Sequence, residues 1–513
     1  MVDAASGQLA QRSLTAVKWS YFGVLVRVIA QLIAQIALAR MLGPETFGVF
    51  AAVLLVLGIG SLFVESGVGA VLIQSKSLPE GYRSAACGAV LINALVVSAT
   101  VILLRDPLAI FFSDQALSEV IGWVWPAFFL HALSIAPMAL LRRDLDFKSI
   151  QIIQVLSYLI GFLCVGVLAA WIGAGVWSLV AAWLTQATVT AVLANYRRPC
   201  FPRFFKLKEG LWMHPFGVRV LLTNLVNWFI ENVDNVIVGR FFGSASLGLY
   251  SVSYNFVRNP TNHLVTSLQA VLFPASARSQ DDNSRLVRAY LTAIAGIALV
   301  AFPVFATVAA VSESVTLAIF GARWTSAAAI LTPLSLAMPL HALMAVAGPV
   351  LWGKGIAGLE LKVQALTGVF LTLSLFFAST KEIAFVGWVV LIVYFLRWLG
   401  MTYVLAVSLN MSTFSLFRVL RGPLALALVL APALVYVDSF FFNFSPMHRL
   451  LIDVFVAAFF FLLLILVFPS FFVSHEIRSL ILRLLDGRQK VLNSWPFCRV
   501  VMGPREKQKK EGR

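Results

Sequence analysis

Apolar residues come in runs of about 20 along this chain, each long enough to cross the hydrocarbon core of a bilayer as an α-helix. That feature constrains the fold more than any other. In lipid, backbone N–H and C=O groups must be satisfied inside a helix or a closed barrel. The alternating ten-residue segments of an outer-membrane barrel are absent. An all-α polytopic membrane protein is therefore expected. The composition agrees: of 513 residues, 60% are apolar and only 12% charged, against roughly 25% charged in ordinary globular domains.

Fourteen spans are read from the sequence: 19–39, 45–71, 84–104, 119–140, 150–171, 174–194, 212–238, 245–268, 289–312, 325–347, 357–378, 383–406, 419–440 and 450–470. The odd-numbered connections hold six Lys/Arg, at 40, 105, 240, 323, 381 and 449. The two tails and the even-numbered connections hold most of the others, with Arg197, Arg198, Arg203, Lys206 and Lys208 in one of them. By the positive-inside rule, both termini are expected in the cytoplasm. The same asymmetry accounts for much of the net charge of +16, so no nucleic-acid partner is implied. Residues 1–18 are too polar, and the following segment too long, for a cleaved signal peptide.

Two stretches say nearly the same thing 200 residues apart. Arg40, Gly43, Gly48 and Phe50 recur in register as Arg240, Gly243, Gly248 and Tyr250. Each stretch lies between two apolar spans, which reads as a duplicated helical hairpin. Six spans separate the partners, an even number, so the repeats enter the membrane the same way, as in one known transporter plan. The expected organisation is an N-terminal lobe at 1–194, a basic cytoplasmic connection at 195–211 and a C-terminal lobe at 212–406. Two additional helices follow at 407–470, then a basic cytoplasmic tail at 471–513 with an interfacial helix over 474–486. Gly43 and Gly243 are expected to need a conformation or close approach that a large side chain forbids, more than Gly58 in mid-span. Arg40 and Arg240 are expected to snorkel to headgroups or cap a helix end. Pro126, Pro137, Pro303, Pro333, Pro339 and Pro349 are expected to shape or bend their helices.

Polar side chains in hydrocarbon are costly and usually face a bundle interior or a wet cavity. Span 7 carries Arg219, Thr223, Asn227, Glu231, Asp234 and Asn235 at helical steps, and span 8 carries Asn255, Arg258, Asn259, Asn262 and His263. Span 1 adds Arg27, Gln31 and Gln35, span 2 adds Glu65 and span 12 adds Arg397. The bland reading is interhelical hydrogen bonding; the functional one is a hydrated cavity lined by Arg27, Gln31, Gln35, Arg219, Asn227, Asn255, Arg258, Asn259 and Arg397. Arginine stays charged and its donor fork matches phosphate oxygens, so an Arg-rich cleft suits an anionic solute. A cavity for cationic drugs should be dominated by carboxylates instead. Glu65, Glu231, Asp234 and His263 are candidates for binding a coupling proton or sodium ion. No cofactor is implied. There is no P-loop and no metal-ligand spacing, so no catalytic residue and no metal site is expected. The four cysteines, at 87, 164, 200 and 498, form no cluster and imply neither metal nor disulfide.

Three stretches resemble the multidrug/oligosaccharidyl-lipid/polysaccharide flippase superfamily in its bacterial polysaccharide-exporter branch. One runs from Ala39 to Phe50 and on to Glu65-Ser66-Gly67-Val68-Gly69. Another is Arg142-Arg143-Asp144-Leu145-Asp146-Phe147. The third is Asp234-Asn235-Val236-Ile237-Val238-Gly239-Arg240, continuing to Gly243, Gly248 and Tyr250. The resemblance covers roughly residues 10–470. It implies two parallel six-helix lobes (MATE-like) plus two further helices, opening alternately to either side of a bacterial inner membrane. It also implies a substrate: an undecaprenyl-pyrophosphate-linked sugar repeat unit for exopolysaccharide or lipopolysaccharide biosynthesis, with Arg27, Arg219 and Arg258 meeting its anionic part. Coupling to a proton or sodium gradient is implied by relatives only. Membrane lipids, a polysaccharide polymerase and a chain-length regulator are the expected partners. A cation-coupled drug antiporter of the same superfamily is the competing reading, and a non-transporting scaffold of an assembly complex a third; the polar stripes count against the scaffold.

Overall fold

The computed structural model describes residues 23–75, 80–202, 215–277, 279–280 and 282–478. Among them every regular element is helical. In chain order the first helices are α1 (Gly23–Met41), α2 (Pro44–Glu65), α3 (Val68–Gln74), α4 (Glu80–Leu103), α5 (Arg105–Phe112), α6 (Ala116–Trp123) and α7 (Pro126–Arg143). Next come α8 (Phe147–Tyr158), which runs through a π-helical stretch (Leu159–Gly166) into α9 (Val167–Trp171), and α10 (Val176–Arg197). Then follow α11 (Pro215–Ala277), α12 (Asn283–Ala310), α13 (Ser312–Ile319), α14 (Ala327–Gly353), α15 (Ala357–Ala378) and α16 (Ile383–Leu409). The last are α17 (Thr413–Phe440), α18 (Pro446–Val467) and the short α19 (Pro469–Phe472).

Twelve of these helices are long and apolar enough to cross a membrane, or thirteen if α6 and α7, bent by 42°, make one span. The expectation of fourteen differs at two places. The bend falls inside expected span 4, where Pro126 opens α7 and removes a backbone donor from the helical ladder. Expected spans 7 and 8 both lie in α11, which Gly243 breaks at φ 78° and ψ 176°, a backbone that only glycine adopts without strain. The π-helical stretch, which widens the turn, was not foreseen from residues 159–166.

Contacts divide the chain into two compact units, Met1–Val252 and Ser253–Arg513. In the first, the two repeated stretches meet. A Cβ on Gly248 would stand 2.7 Å from the Pro44 carbonyl carbon, 2.9 Å from the Gly48 nitrogen, and closer still to the Pro44 oxygen. A Cβ on Gly48 would strike the Ser244 carbonyl in the same way. Backbone therefore lies directly on backbone, which is why both positions are glycine. Gly43 is a different case: it is the extended N-cap of α2 at φ −85° with nothing within 4 Å of a Cβ. The expected need for glycine there is corrected; the close approach belongs to Gly48 and Gly248. Nor is Gly58 a neutral position, since a Cβ there would meet the Trp228 indole nitrogen at 2.7 Å.

Two arginines, Arg240 of the second repeat and Arg143 of the 142–147 stretch, cap helix ends. Arg240 Nη1 donates to the carbonyls of Ile110 (3.2 Å) and Phe111 (2.6 Å) at the end of α5, and its guanidinium lies 5.3 Å from the Phe111 ring centroid. Arg143 Nη1 donates to the Leu72 and Ile73 carbonyls at 2.9 and 3.3 Å, and to that of Ser75, closing α3. Such contacts satisfy carbonyls that a helix C-terminus leaves open. Two residues on, Leu145 takes a left-handed turn at φ 57°. The Asp146 carboxylate then accepts from Ser149 N–H to start α8. The Arg142–Phe147 stretch is thus a compact helix-to-helix connector.

Cys87 and Cys200 form a disulfide, correcting the expectation of none. It ties the start of α4 to the chain beyond α10 across a sequence separation of 113. Spacing could not reveal a pair so far apart, because tertiary packing brings the two together. In the second unit, α12 packs against α14 and α17, and α14 against α16, with Tyr290, Phe320 and Trp324 fully buried. Outside the spans, Asp282 caps α12; hydrogen bonds from Ser284 and from the Arg285 N–H hold its carboxyl below the usual range. The expected interfacial helix at 474–486 lies mostly outside the described residues, as does most of the 195–211 connection.

Candidate functional site

In the first unit, the polar residues of α1 are tied to neighbouring helices. Arg27 Nη1 donates to Gln154 Oε1 at 2.6 Å, and Gln35 Nε2 donates to the Val252 carbonyl at 3.3 Å. Gln31 is half-buried on the same helix. Glu65 closes α2 beside Gly69, within charge range of Arg142.

The stripe on α11 separates into two kinds of residue. Arg219, Thr223, Asn227 and Glu231 follow one another at four-residue steps, and all four are exposed. A charged line on a membrane helix facing hydrocarbon would be costly, so this geometry calls for water along that face. Asp234, by contrast, is only 4% exposed. It accepts from the Tyr250 hydroxyl at 2.7 Å and from the Asn235 backbone and side-chain N–H groups at 2.8 and 3.1 Å. Tyr250 lies beyond the Gly243 break, so this hydrogen bond joins the two arms of α11.

The second unit contains a further polar cluster. The Arg258 guanidinium lies 5.3 Å from the Tyr254 ring centroid. The Tyr254 and Tyr394 hydroxyls hydrogen-bond at 2.7 Å. His341 stacks on Tyr394 with centroids 5.6 Å apart, and its Nε2 lies 3.2 Å from Asn262 Oδ1. The positive charges of Arg258 and Arg397 both reach His341. Glu360 lies near enough to Arg397 to feel its charge, but its oxygens accept from Trp352 and Gln364. Among the described residues Arg397 makes no salt bridge, and its Nε, the Trp398 Nε1 and the His341 Nδ1 are buried without a hydrogen-bond partner. Orphaned buried donors are expensive unless an acceptor fills the site. The buried Arg397 Nε and Trp398 Nε1 donors suit anionic oxygens, whereas His341, whose Nε2 gives its proton to Asn262 Oδ1, presents Nδ1 as an acceptor.

The structure thus places Arg258 and Arg397 within charge range of one group, His341, which sequence reading passed over as a lone histidine on the mostly apolar α14. The side chain of His263, the histidine chosen from the sequence, lies outside the described ones. Asn255 is exposed and Asn259 half-buried on α11.

Comparison with known proteins places the chain. The family described as "Polysaccharide biosynthesis protein" matches residues 37–329, more than half of the sequence. The chain belongs to the polysaccharide biosynthesis protein family. This family member is 25% identical over 424 residues to the teichuronic acid biosynthesis protein TuaB of Bacillus subtilis, covering 81% of this chain and 86% of that one. It is 24% identical over 325 residues to the lipopolysaccharide biosynthesis protein WzxC of Escherichia coli, covering 62% and 65% of the two chains. Its fold is similar to that of a lipid II flippase, MurJ, in an inward closed conformation, with a TM-score of 0.72 at 12% identity over 92% of this chain and 100% of that one. A multidrug resistance MATE family transporter in an inward-facing conformation matches at a TM-score of 0.56 and 15% identity, covering 76% and 100%. These likenesses show that the chain shares the polytopic helical fold of those two structures.

Proposed function

We propose that this polysaccharide biosynthesis family member is a flippase. Its proposed substrate is an undecaprenyl-pyrophosphate-linked oligosaccharide repeat unit, moved across a bacterial cytoplasmic membrane by alternating access of two lobes, 1–194 and 212–406. The observation that carries the reading is the pair of buried donors without a partner, Arg397 Nε and Trp398 Nε1, with the charges of Arg258 and Arg397 converging on His341. A pyrophosphate offers the acceptor oxygens that such donors lack, and arginine forks bind them in pairs. A glycan headgroup must also stay hydrated, because stripping many hydroxyls of water is prohibitive; the exposed stripe from Arg219 to Glu231 supports a wet path. On this reading both termini are cytoplasmic, an ion gradient supplies the drive, and a polymerase and chain-length regulator take the product.

The test is the sidedness of radiolabelled lipid-linked oligosaccharide in vesicles containing the purified protein. Substrate should reach the opposite leaflet with wild-type protein. Arg258→Ala or Arg397→Ala should lose most of that transfer at equal protein level, with partial rescue by Lys, which keeps charge but loses the planar fork. If the lipid stays on its starting leaflet under every imposed gradient while a small organic cation crosses, the flippase reading fails and a drug antiporter replaces it.

A further inference from the structure

The hairpin formed by α17 and α18 carries a buried charge cluster that neither repeat motif includes. Arg449 and Asp453 are one turn apart on the same face of α18, and are 4% and 1% exposed. Arg449 is committed to Asp438 near the end of α17: its Nε donates to Oδ1 at 3.0 Å and its Nη2 to Oδ2 at 2.6 Å. Its guanidinium also lies 5.0 Å from the Phe442 ring centroid. The Ser314 hydroxyl, fully buried on α13, donates to Asp438 Oδ1. Asp438 is thereby satisfied on both oxygens.

Asp453 is not. Its carboxyl lies within charge range of that of Asp438, and neither of its oxygens has a hydrogen-bond partner. Arg449 and Asp438 cancel one another, so an ionised Asp453 would leave one uncompensated negative charge in the protein interior. That is among the costliest arrangements a fold can hold. One bound proton removes the charge and supplies the missing donor, from Asp453 to Asp438. A sodium ion fits less well, since the two carboxylates and the Ser314 hydroxyl fall short of its coordination needs. Of the elements packed against α18, namely α13, α17 and α19, the charged group facing Asp453 is Asp438, with Arg449 from α18 itself. Glu313 is the charged residue of α13 next to Ser314, α19 carries no charge, and His448 is turned to Ser445.

We infer that Asp453 is a proton-binding site, exchanging one proton with water through a carboxyl pair shared with Asp438, and that this exchange couples transport to a proton gradient. The coupling part rests on the transporter reading above; the proton site itself does not. The chemistry is a single balanced step, the Asp453 carboxylic acid giving its proton to water and becoming a carboxylate. On the proposed orientation this end of the hairpin faces outward, where a proton-motive force presents protons.

The experiment is infrared difference spectroscopy of the full-length protein in lipid vesicles across a pH titration, in H2O and in D2O. Wild type should show a protonated-carboxyl band that titrates and shifts in D2O. Asp453→Asn should lose that band and Asp453→Glu should retain one. Absence of such a band in wild type, or its persistence in Asp453→Asn, overturns the proton site, as does a site that responds to sodium and not to pH. Should the Asn variant fail to fold, the wild-type titration and the Glu variant still decide. In transport assays, Asp453→Asn should lose the response to an imposed proton gradient, and an unchanged response overturns the coupling. A titrating band with no lipid-linked substrate transported would sink the flippase reading and leave the proton site standing.

Discussion

Replacing Gly48 or Gly248 with alanine tests the backbone crossing on which the first unit is built. At Gly248 the new methyl would start 2.7 Å from the Pro44 carbonyl carbon, where ordinary contact begins at 3.4 Å, and nearer still to the Pro44 oxygen. The opposing atoms are backbone, so they cannot rotate away as a side-chain end could. The two segments must part by at least about 0.7 Å, and the neighbouring side chains must follow. Overpacking of this kind costs about 1–3 kcal/mol per site. Both methyls force the same separation, so the double variant should cost little more than the larger single. The shortfall from additivity should be about 0.5 kcal/mol or more. The assay is a reversible unfolding titration of purified protein in detergent, with Gly43→Ser as reference. Gly43 has open space and a backbone suited to any residue, and serine is a favoured N-cap, so that change should be neutral or slightly stabilising. If Gly48→Ala and Gly43→Ser unfold together, the crossing does not exist as described.

Tyr250→Phe removes a donor from buried Asp234 and should destabilise by about 1.5–3 kcal/mol in the same titration, the usual range for a hydrogen bond to a charged group. Arg240→Ala should expose the end of α5 to limited proteolysis, with lysine rescuing only in part because an ammonium can reach the two carbonyls that Nη1 serves but cannot lay a planar guanidinium over the Phe111 ring. In a Cys164→Ser, Cys498→Ser background, protein purified under oxidising conditions and then unfolded should resist thiol alkylation until a reductant is added, since Cys87 and Cys200 are within bonding distance. Reporter fusions at 143, 205 and 355 should read cytoplasmic and those at 110 and 445 extracytoplasmic; a cytoplasmic reading at 110 would overturn the proposed orientation.

The polytopic helical class was legible in the sequence because lipid imposes it: a long apolar run has no other way to satisfy its backbone. The repeat was legible too, as a one-dimensional register of Arg, Gly, Gly and aromatic. The need for glycine at 243 was legible and its positive φ bears it out; that Gly48 and Gly248, rather than Gly43, carry the close approach was not, because close approach is a property of two segments at once. Gly48 and Gly248 are 200 residues apart, and only folding sets one against the other. The same holds for the polar residues. Helical spacing found the stripe on α11 and picked out Arg258, and Arg397 was noticed as a lone charge in an apolar span. It could not tell that Asp234 is anchored by Tyr250 while Glu231 stays exposed, since both lie on one helix at similar steps.

His341 and Asp453 mark the boundary most sharply. Each is a lone polar residue in an apolar run, with no periodic partner on its own helix to draw notice beyond Arg449. Their chemistry comes from neighbours on other helices: Tyr394, Asn262 and two arginines for His341, and Asp438 for Asp453. By itself, the sequence determined a chain of apolar helices with polar faces, because hydropathy and periodicity are local. Tertiary structure decided which charges are cancelled and which are left wanting a partner, because electrostatic and hydrogen-bond energies depend on distances that only packing sets.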